Sequence, residues 1–137
     1  MKKYKLAVVG ATGVVGRTVL KVLQEKNLPI SEYVFFASSK SAGKTIHFME
    51  KNYTIKELTE NSFDDKFDFA VFSAGGDTSK KYAPIAVSNG CIVVDNSSAF
   101  RMDPTVPLVV PEVNPEKISE NKDIIDLSIA NYFLKLV

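Results

Sequence analysis

The chain has 137 residues, about the usual size of one domain, of which 45% are hydrophobic and 24% are charged. Its 17 Lys and Arg residues nearly balance 16 Asp and Glu residues, giving a net charge of +1. That balance gives no electrostatic reason to expect nucleic acid or an anionic membrane as a partner. No run approaches the roughly 20 apolar residues of a membrane-spanning helix. The single cysteine cannot form an intrachain disulfide, so we expect a reducing compartment, the cytoplasm.

Short apolar runs, two of which end at glycine turns, alternate with helical patterns along the chain. The predicted elements, in chain order, are a strand over 4–9, a helix over 13–27, a strand over 32–37, a hairpin over 44–58, a strand over 67–74, a helix over 78–90 with its cap near Thr78 or Ser79, a strand over 91–95 and a candidate strand over 106–110. After Pro111, "NPEKISENKD" (114–123) is polar and turn-rich, and "IIDLSIANYFLKLV" (124–137) could form helix or strand. The alternation predicts an α/β fold: a Rossmann-like open, mostly parallel sheet with helices on both faces.

Three glycines lie directly between the first predicted strand and the first predicted helix. Gly10, Gly13 and Gly16 have the spacing G-x-x-G-x-x-G, a variant of the dinucleotide-binding fingerprint. Gly10 permits a tight turn, Gly13 lets the backbone approach a pyrophosphate, and Gly16 lets helix and strand pack closely. The helix N-terminus then offers free N–H groups to phosphates. The alternative is a glycine turn with no ligand.

The second predicted strand ends without the acidic residue that would bind the 2′-hydroxyl of NAD. It is followed instead by "ASSKSAG" (37–43), which contains Ser38, Ser39, Lys40 and Ser41. Hydroxyl groups and one cation suit a 2′-phosphate, and this favours NADP over NAD. A polar surface loop would have the same composition.

Two further loops follow strand ends, where ligands gather in open α/β sheets. In "SAGG" (73–76), Gly75 and Gly76 could bring backbone close to the nicotinamide side of a cofactor. In "DNSSAFRMDP" (95–104), neutral donors are available from Asn96, Ser97 and Ser98, and Arg101 supplies a planar fork suited to carboxylate or phosphate. A plain turn and a surface charge are the alternatives.

The remaining candidates are weaker. His47, in a hairpin strand, is expected to be a half-buried structural imidazole, and no metal-ligand set surrounds it. Cys91 opens an apolar strand, which predicts a buried thiol with a raised pKa rather than a nucleophile. We therefore expect no catalytic residue and no metal site in this chain.

Together, "GATGVVGR", "ASSKSAG", "FSAGG" and "VVDNSSAFRMDPTVPLVVPEVNP" resemble aspartate-semialdehyde dehydrogenase, over residues 4 to 125 and most specifically over 93–115. The resemblance implies reductive dephosphorylation of L-aspartyl 4-phosphate to the semialdehyde with NADPH, for lysine, methionine and threonine biosynthesis. It also implies homodimers or tetramers in which a catalytic and dimerisation domain, absent from this chain, follows the cofactor domain.

The resemblance assigns roles to individual residues. Pyrophosphate would be held by Gly10 to Gly16, with Thr12, Gly13, Val14 and Val15 closest to it. Ser38 to Ser41 would surround the 2′-phosphate, and Ser73, Ala74, Gly75 and Gly76 would flank the nicotinamide ribose. Arg101 would bind the substrate phosphate, or inorganic phosphate in the reverse reaction.

The pattern departs from the family near its end. After "NKDII" the family continues with a segment like "ANPNCST", whose cysteine attacks the acyl phosphate. Here the sequence reads "DLSIANYFLKLV". We therefore expect residues 1–125 to form an NADP-binding domain, residues 126–137 to be a divergent tail, and this chain alone to be inactive. The alternative is a free-standing, non-catalytic NADP-binding module. A related N-acetylglutamyl-phosphate reductase matches residues 93–115 poorly.

Overall fold

The computed structural model describes residues 2–100, 102–106 and 124–126. Within them, the elements in chain order are β1 (Tyr4–Val9), α1 (Val14–Lys26), β2 (Ile30–Ala37), β3 (Thr45–Phe48), β4 (Lys51–Thr54), β5 (Lys56–Glu57), β6 (Phe69–Phe72), α2 (Gly76–Ser88), β7 (Ile92–Asp95) and β8 (Ile124–Asp126).

Six of these strands form one sheet in the order β5-β2-β1-β6-β7-β8, and each neighbouring pair is parallel. β3 and β4 form a separate antiparallel hairpin. The two helices pack on opposite faces of the sheet. Alternate residues of each strand point to opposite faces, so one strand contributes to the core beneath each helix. Leu6 and Val8 share one core cluster with Leu20 of α1, whereas Ala7 and Val9 share the other with Ala83 of α2. The predicted Rossmann-like α/β class is confirmed.

The hairpin differs from its prediction in turn and extent. Met49 and Glu50 form the turn, both with positive φ (50° and 66°), so it comes one residue earlier than expected. The predicted second strand also divides at Ile55, which is buried at 2% exposure. Lys56 and Glu57 leave the hairpin and pair in parallel with the end of β2.

The start of α2 also differs from its prediction. Gly75 is the N-cap residue, and no side chain caps the helix. The predicted cap at Thr78 or Ser79 is therefore wrong, and Ser79 lies fully buried one turn into the helix. The predicted strand over 106–110 lies almost wholly outside the described residues, with Val106 described and not in a strand.

Candidate functional site: a cleft at the carboxyl ends of the strands

A cleft of about 520 Å³ opens at the carboxyl ends of β1, β2 and β6. β1 lies between β2 and β6 in the sheet. The chain runs from β1 outward to β2 and β5, then returns to β6 on the other side of β1, which makes this the topological switch point where ligands bind in open α/β sheets. The residues lining the cleft are Val9, Gly10, Thr12, Gly13, Ala37, Ser38, Ser39, Leu58, Ser73, Ala74, Thr78 and Tyr82. None of them is charged.

Gly10 and Gly16 make the tight connection between β1 and α1. Gly10 has φ +89°, and a β-carbon there would lie 2.8 Å from the backbone of Ser73 at the end of β6. A β-carbon on Gly16 would overlap the carbonyl oxygen of Gly10. Glycine is therefore required at both positions by the protein itself.

Gly13 has a different environment. It is the N-cap residue of α1, and a β-carbon there would come no closer than 3.7 Å to the Gly10 oxygen. The first helical hydrogen bond runs from Arg17 N–H to Gly13 O (3.0 Å), so the N–H groups of Val14, Val15 and Gly16 have no helical acceptor. No side chain caps this helix and its first turn has no acidic residue, which leaves the positive end of the helix open toward the cleft.

The segment after β2 folds into a turn at the cleft rim. The carbonyl of Ser38 accepts hydrogen bonds from the N–H groups of Ser41 and Ala42, each at 3.0 Å. Ser38 and Ser39 line the cleft, whereas Lys40 and Ser41 do not. Lys40 is exposed on the same turn.

The opposite wall comes from the end of β6 and from α2. Ser73 is held by two bonds to the Val9 carbonyl, from its N–H (2.9 Å) and from its hydroxyl (3.1 Å). Thr78 and Tyr82, one helical turn apart on α2, also line the cleft, and neither was predicted as a site residue. Their i, i+4 spacing just after a glycine loop indicates that they share one face of the helix. Gly75, the N-cap of α2, and Gly76, its first residue, do not line the cleft.

The loop after β7 is organised by a buried carboxylate. Asp95, at 0% exposure, accepts hydrogen bonds from the Ser79 hydroxyl (2.7 Å), the Ser97 N–H (3.1 Å) and the Ser97 hydroxyl (2.7 Å). Asn96 donates its N–H to Phe72 O at 3.0 Å, which ties the loop to the end of β6. The side-chain oxygen of Asn96 is buried and has no hydrogen-bond partner. Arg101, the predicted phosphate ligand, lies outside the described residues.

Cys91 and His47 lie away from the cleft. Cys91 precedes β7, at the amino edge of the sheet, and is 3% exposed. Burial, with a smaller contribution from nearby Asp68, raises the pKa of its thiol to about 12, as the sequence predicted in direction. His47 is exposed rather than half-buried, and its Nδ1 lies 2.8 Å from Asn52 Oδ1 across the hairpin. The described residues contain no group of three or more side chains that could hold a metal.

A parallel sheet whose first strand passes through a three-glycine turn into an uncapped helix, with a cleft at the switch point, defines a dinucleotide-binding domain of the Rossmann type. Comparison with known proteins agrees. Residues 5–121 match the family described as "Semialdehyde dehydrogenase, NAD binding domain". The chain belongs to the semialdehyde dehydrogenase family and corresponds to the N-terminal NAD(P)-binding domain of aspartate-semialdehyde dehydrogenases.

Three relatives illustrate the match. Aspartate-semialdehyde dehydrogenase of Aquifex aeolicus is 58% identical over 120 residues, covering 87% of this chain and 35% of that protein. The crystal structure of aspartate semialdehyde dehydrogenase II from Vibrio cholerae complexed with ASA has TM-score 0.84 and 46% identity, covering 91% and 41%. That of the Candida albicans enzyme with NADP has TM-score 0.75 and 27% identity, covering 91% and 42%. The chain thus spans well under half the length of these relatives.

No helix among the described residues is both long and apolar enough to cross a membrane.

Proposed function

We propose that this chain is the NADP-binding part of an aspartate-semialdehyde dehydrogenase, which converts L-aspartyl 4-phosphate to L-aspartate 4-semialdehyde in lysine, methionine and threonine biosynthesis. The observation that carries the proposal is the space at Gly13. The protein leaves room for a β-carbon there, beside helix N–H groups that have no acceptor. A phosphate group of a dinucleotide fits both features.

Different residues in and beside the cleft are proposed to contact different parts of the cofactor. The turn from Gly10 to Gly16, with Thr12, Val14 and Val15, would hold the pyrophosphate through backbone N–H groups. Ser38 and Ser39 would bind the 2′-phosphate with their hydroxyls, and Lys40 and Ser41 would complete that end from the same turn. Ser73, Ala74, Gly75, Gly76 and Asn96 would surround the nicotinamide ribose, with Ser73 and Ala74 lining the cleft itself. The bound cofactor supplies a hydride.

A preference for NADP over NAD is supported by the cleft's composition. No acidic residue lines the cleft, so none of the lining side chains offers the carboxylate that would accept hydrogen bonds from a free 2′-hydroxyl. Glu57 lies beside Ala37 in the sheet, but it lines a separate groove with Lys56 and Asp65. A 2′-phosphate would therefore meet hydroxyl groups at the cleft and the Lys40 charge close by, without repulsion.

The substrate half of the reaction is assigned only to Arg101, as the phosphate ligand. This chain alone is proposed to be inactive, because its single cysteine is buried with a pKa raised to about 12 and precedes the strand whose opposite end faces the cleft. We propose residues 1–125 as the extent of the cofactor domain and 126–137 as a divergent tail, with Asp126, the last residue of β8, still paired with Asp95 at that boundary.

Fluorescence titration with NADPH, and with NADH in parallel, tests this function. Saturable binding that prefers NADPH is the expected result. If the chain binds neither NADPH nor NADH, the proposal is contradicted. A parallel assay with aspartate semialdehyde, inorganic phosphate and NADP should show no absorbance rise at the wavelength of NADPH, and a rise would contradict the proposed inactivity.

A further inference from the structure

Asp95 and Ser79 are the buried polar residues of the described core, both at 0% exposure. Burying a carboxylate is unfavourable unless hydrogen bonds replace its water, and a hydrophobic residue of similar volume would avoid that penalty. Val93, two residues earlier on the same face of β7, is a buried apolar residue, so this face also packs well without a carboxylate. What distinguishes Asp95 is therefore its set of hydrogen-bond partners.

Those partners come from two different segments. Ser79 belongs to the first turn of α2. Its N–H donates to Gly75 O at 3.1 Å, and its hydroxyl donates to Asp95, so its hydroxyl does not cap the helix. Ser97 lies in the loop after β7, and its hydroxyl also accepts the N–H of Ala99 at 3.1 Å. Asp95 thus joins the end of β7, the start of α2 and the loop 96–100.

The same carboxylate fixes the spacing between two loops. A β-carbon on Gly76 would lie 4.0 Å from the β-carbon of Ala99, so the first residue of α2 lies close to the loop after β7. The segment that leads into α2 begins with Ser73 and Ala74 of the cleft wall. The loop after β7 begins with Asn96, whose buried oxygen has no partner. Moving either loop would move these groups relative to each other.

We propose that Asp95 is a positioning residue for the nicotinamide half of the cofactor. It does not line the cleft. It holds the segment 73–76 and the loop 96–100 at a fixed separation and thereby sets the position of Asn96 relative to Ser73 and Ala74 of the cleft wall. The inference rests on the proposed NADP-binding function and deepens it, because it separates residues that contact the cofactor from one that sets their geometry.

The test compares two ligands across matched variants of the full chain. NADPH spans the whole cleft, whereas 2′,5′-ADP carries the adenosine end and lacks the nicotinamide half. The variants are Asp95→Asn and Ser97→Ala, with Ser88→Ala as the control, because the Ser88 hydroxyl bonds Ile85 O at the far end of α2. We expect Asp95→Asn and Ser97→Ala to bind NADPH about tenfold more weakly, about 1.4 kcal/mol, with unchanged 2′,5′-ADP affinity. Ser88→Ala should leave both affinities unchanged.

Each other result contradicts the inference in an identifiable way. Unchanged NADPH affinity in both variants would show that Asp95 serves folding only. Equal loss of both ligands would show general damage to the cleft, and a melting curve would reveal it. If Asp95→Asn does not fold, Ser97→Ala decides alone, since it retains the bond between Ser79 and Asp95. Failure of the unchanged chain to bind either ligand would instead overturn the proposed function, and the positioning role with it.

Discussion

The carbonyl oxygen of Gly10 occupies the position that a β-carbon on Gly16 would need. Helix α1 therefore packs on the end of β1 at a distance that only glycine permits. Three residues before Gly16, the space at Gly13 is free of such contacts. Two glycines of one motif are thus separable: Gly16 is needed for packing, whereas packing does not require glycine at position 13, where we propose that the pyrophosphate binds.

Gly13→Val should abolish NADPH binding while leaving the fold intact. The valine side chain would enter the space proposed for the pyrophosphate, whereas the backbone at Gly13 has φ −76°, which any residue adopts. Loss of the glycine cap should lower the free energy of unfolding by about 1 kcal/mol or less. The measurements are NADPH titration and thermal melting. Undiminished binding would show that the turn is structural only.

Gly16→Ala should, by contrast, lower the stability of the fold. The added methyl group overlaps backbone, so the helix must shift away from the strand, and we expect the free energy of unfolding to fall by about 1–3 kcal/mol. Denaturant unfolding measures it. A variant as stable as the original chain would contradict the packing role assigned to this glycine.

Ser39→Asp should shift cofactor preference toward NADH. A carboxylate on the cleft rim would repel a 2′-phosphate and could accept hydrogen bonds from a free 2′-hydroxyl. We expect NADPH affinity to fall about tenfold, with NADH affinity unchanged or improved, and Ser39→Asn is the uncharged control. Parallel titrations decide, and an unchanged ratio would place the 2′-phosphate elsewhere.

Cys91 should be unreactive while the chain is folded. The reagent DTNB requires a thiolate and access, and Cys91 is 3% exposed with its pKa raised from 9.0 to about 12. We expect stoichiometric reaction at pH 8 only in denaturant. Because the raised pKa favours the protonated thiol in the fold, its stabilising contribution is complete below pH 9 and declines as the pH rises toward 12. Rapid labelling of the native chain would contradict the buried location.

Arg101→Ala should weaken binding of inorganic phosphate and leave NADPH affinity nearly unchanged. This expectation comes from the family resemblance, and Arg101→Lys is the matched control because it keeps the charge without the planar fork. Calorimetric titration with phosphate is the measurement. Equal losses of phosphate and NADPH would refute the assignment.

The strand and helix order was predictable because the buried strands here are short apolar runs, and two of them, β1 and β6, are soon followed by Gly10 and Gly75. The glycine spacing likewise predicted the close packing of α1 on β1 at Gly16, which the contacts of Gly10 and Gly16 confirm. Asp95 was not recognised, since an acidic residue at the end of "CIVVD" has the same local pattern whether it is exposed or buried. Its role depends on Ser79, which is 16 residues away. β5 was missed for a similar reason, because its partner is β2 and not the adjacent hairpin.

The position of β1 in the sheet has a consequence for synthesis of the chain. Its neighbour on one side, β6, begins about 60 residues after β1 ends. At translation rates of 5–20 residues per second, roughly 3–12 seconds separate the emergence of the two strands. During that interval β1 can pair with β2, but its other edge, with Leu6, Ala7, Val8 and Val9, has no native partner. The nascent chain therefore exposes one apolar strand edge on the ribosome until "FAVF" has been made.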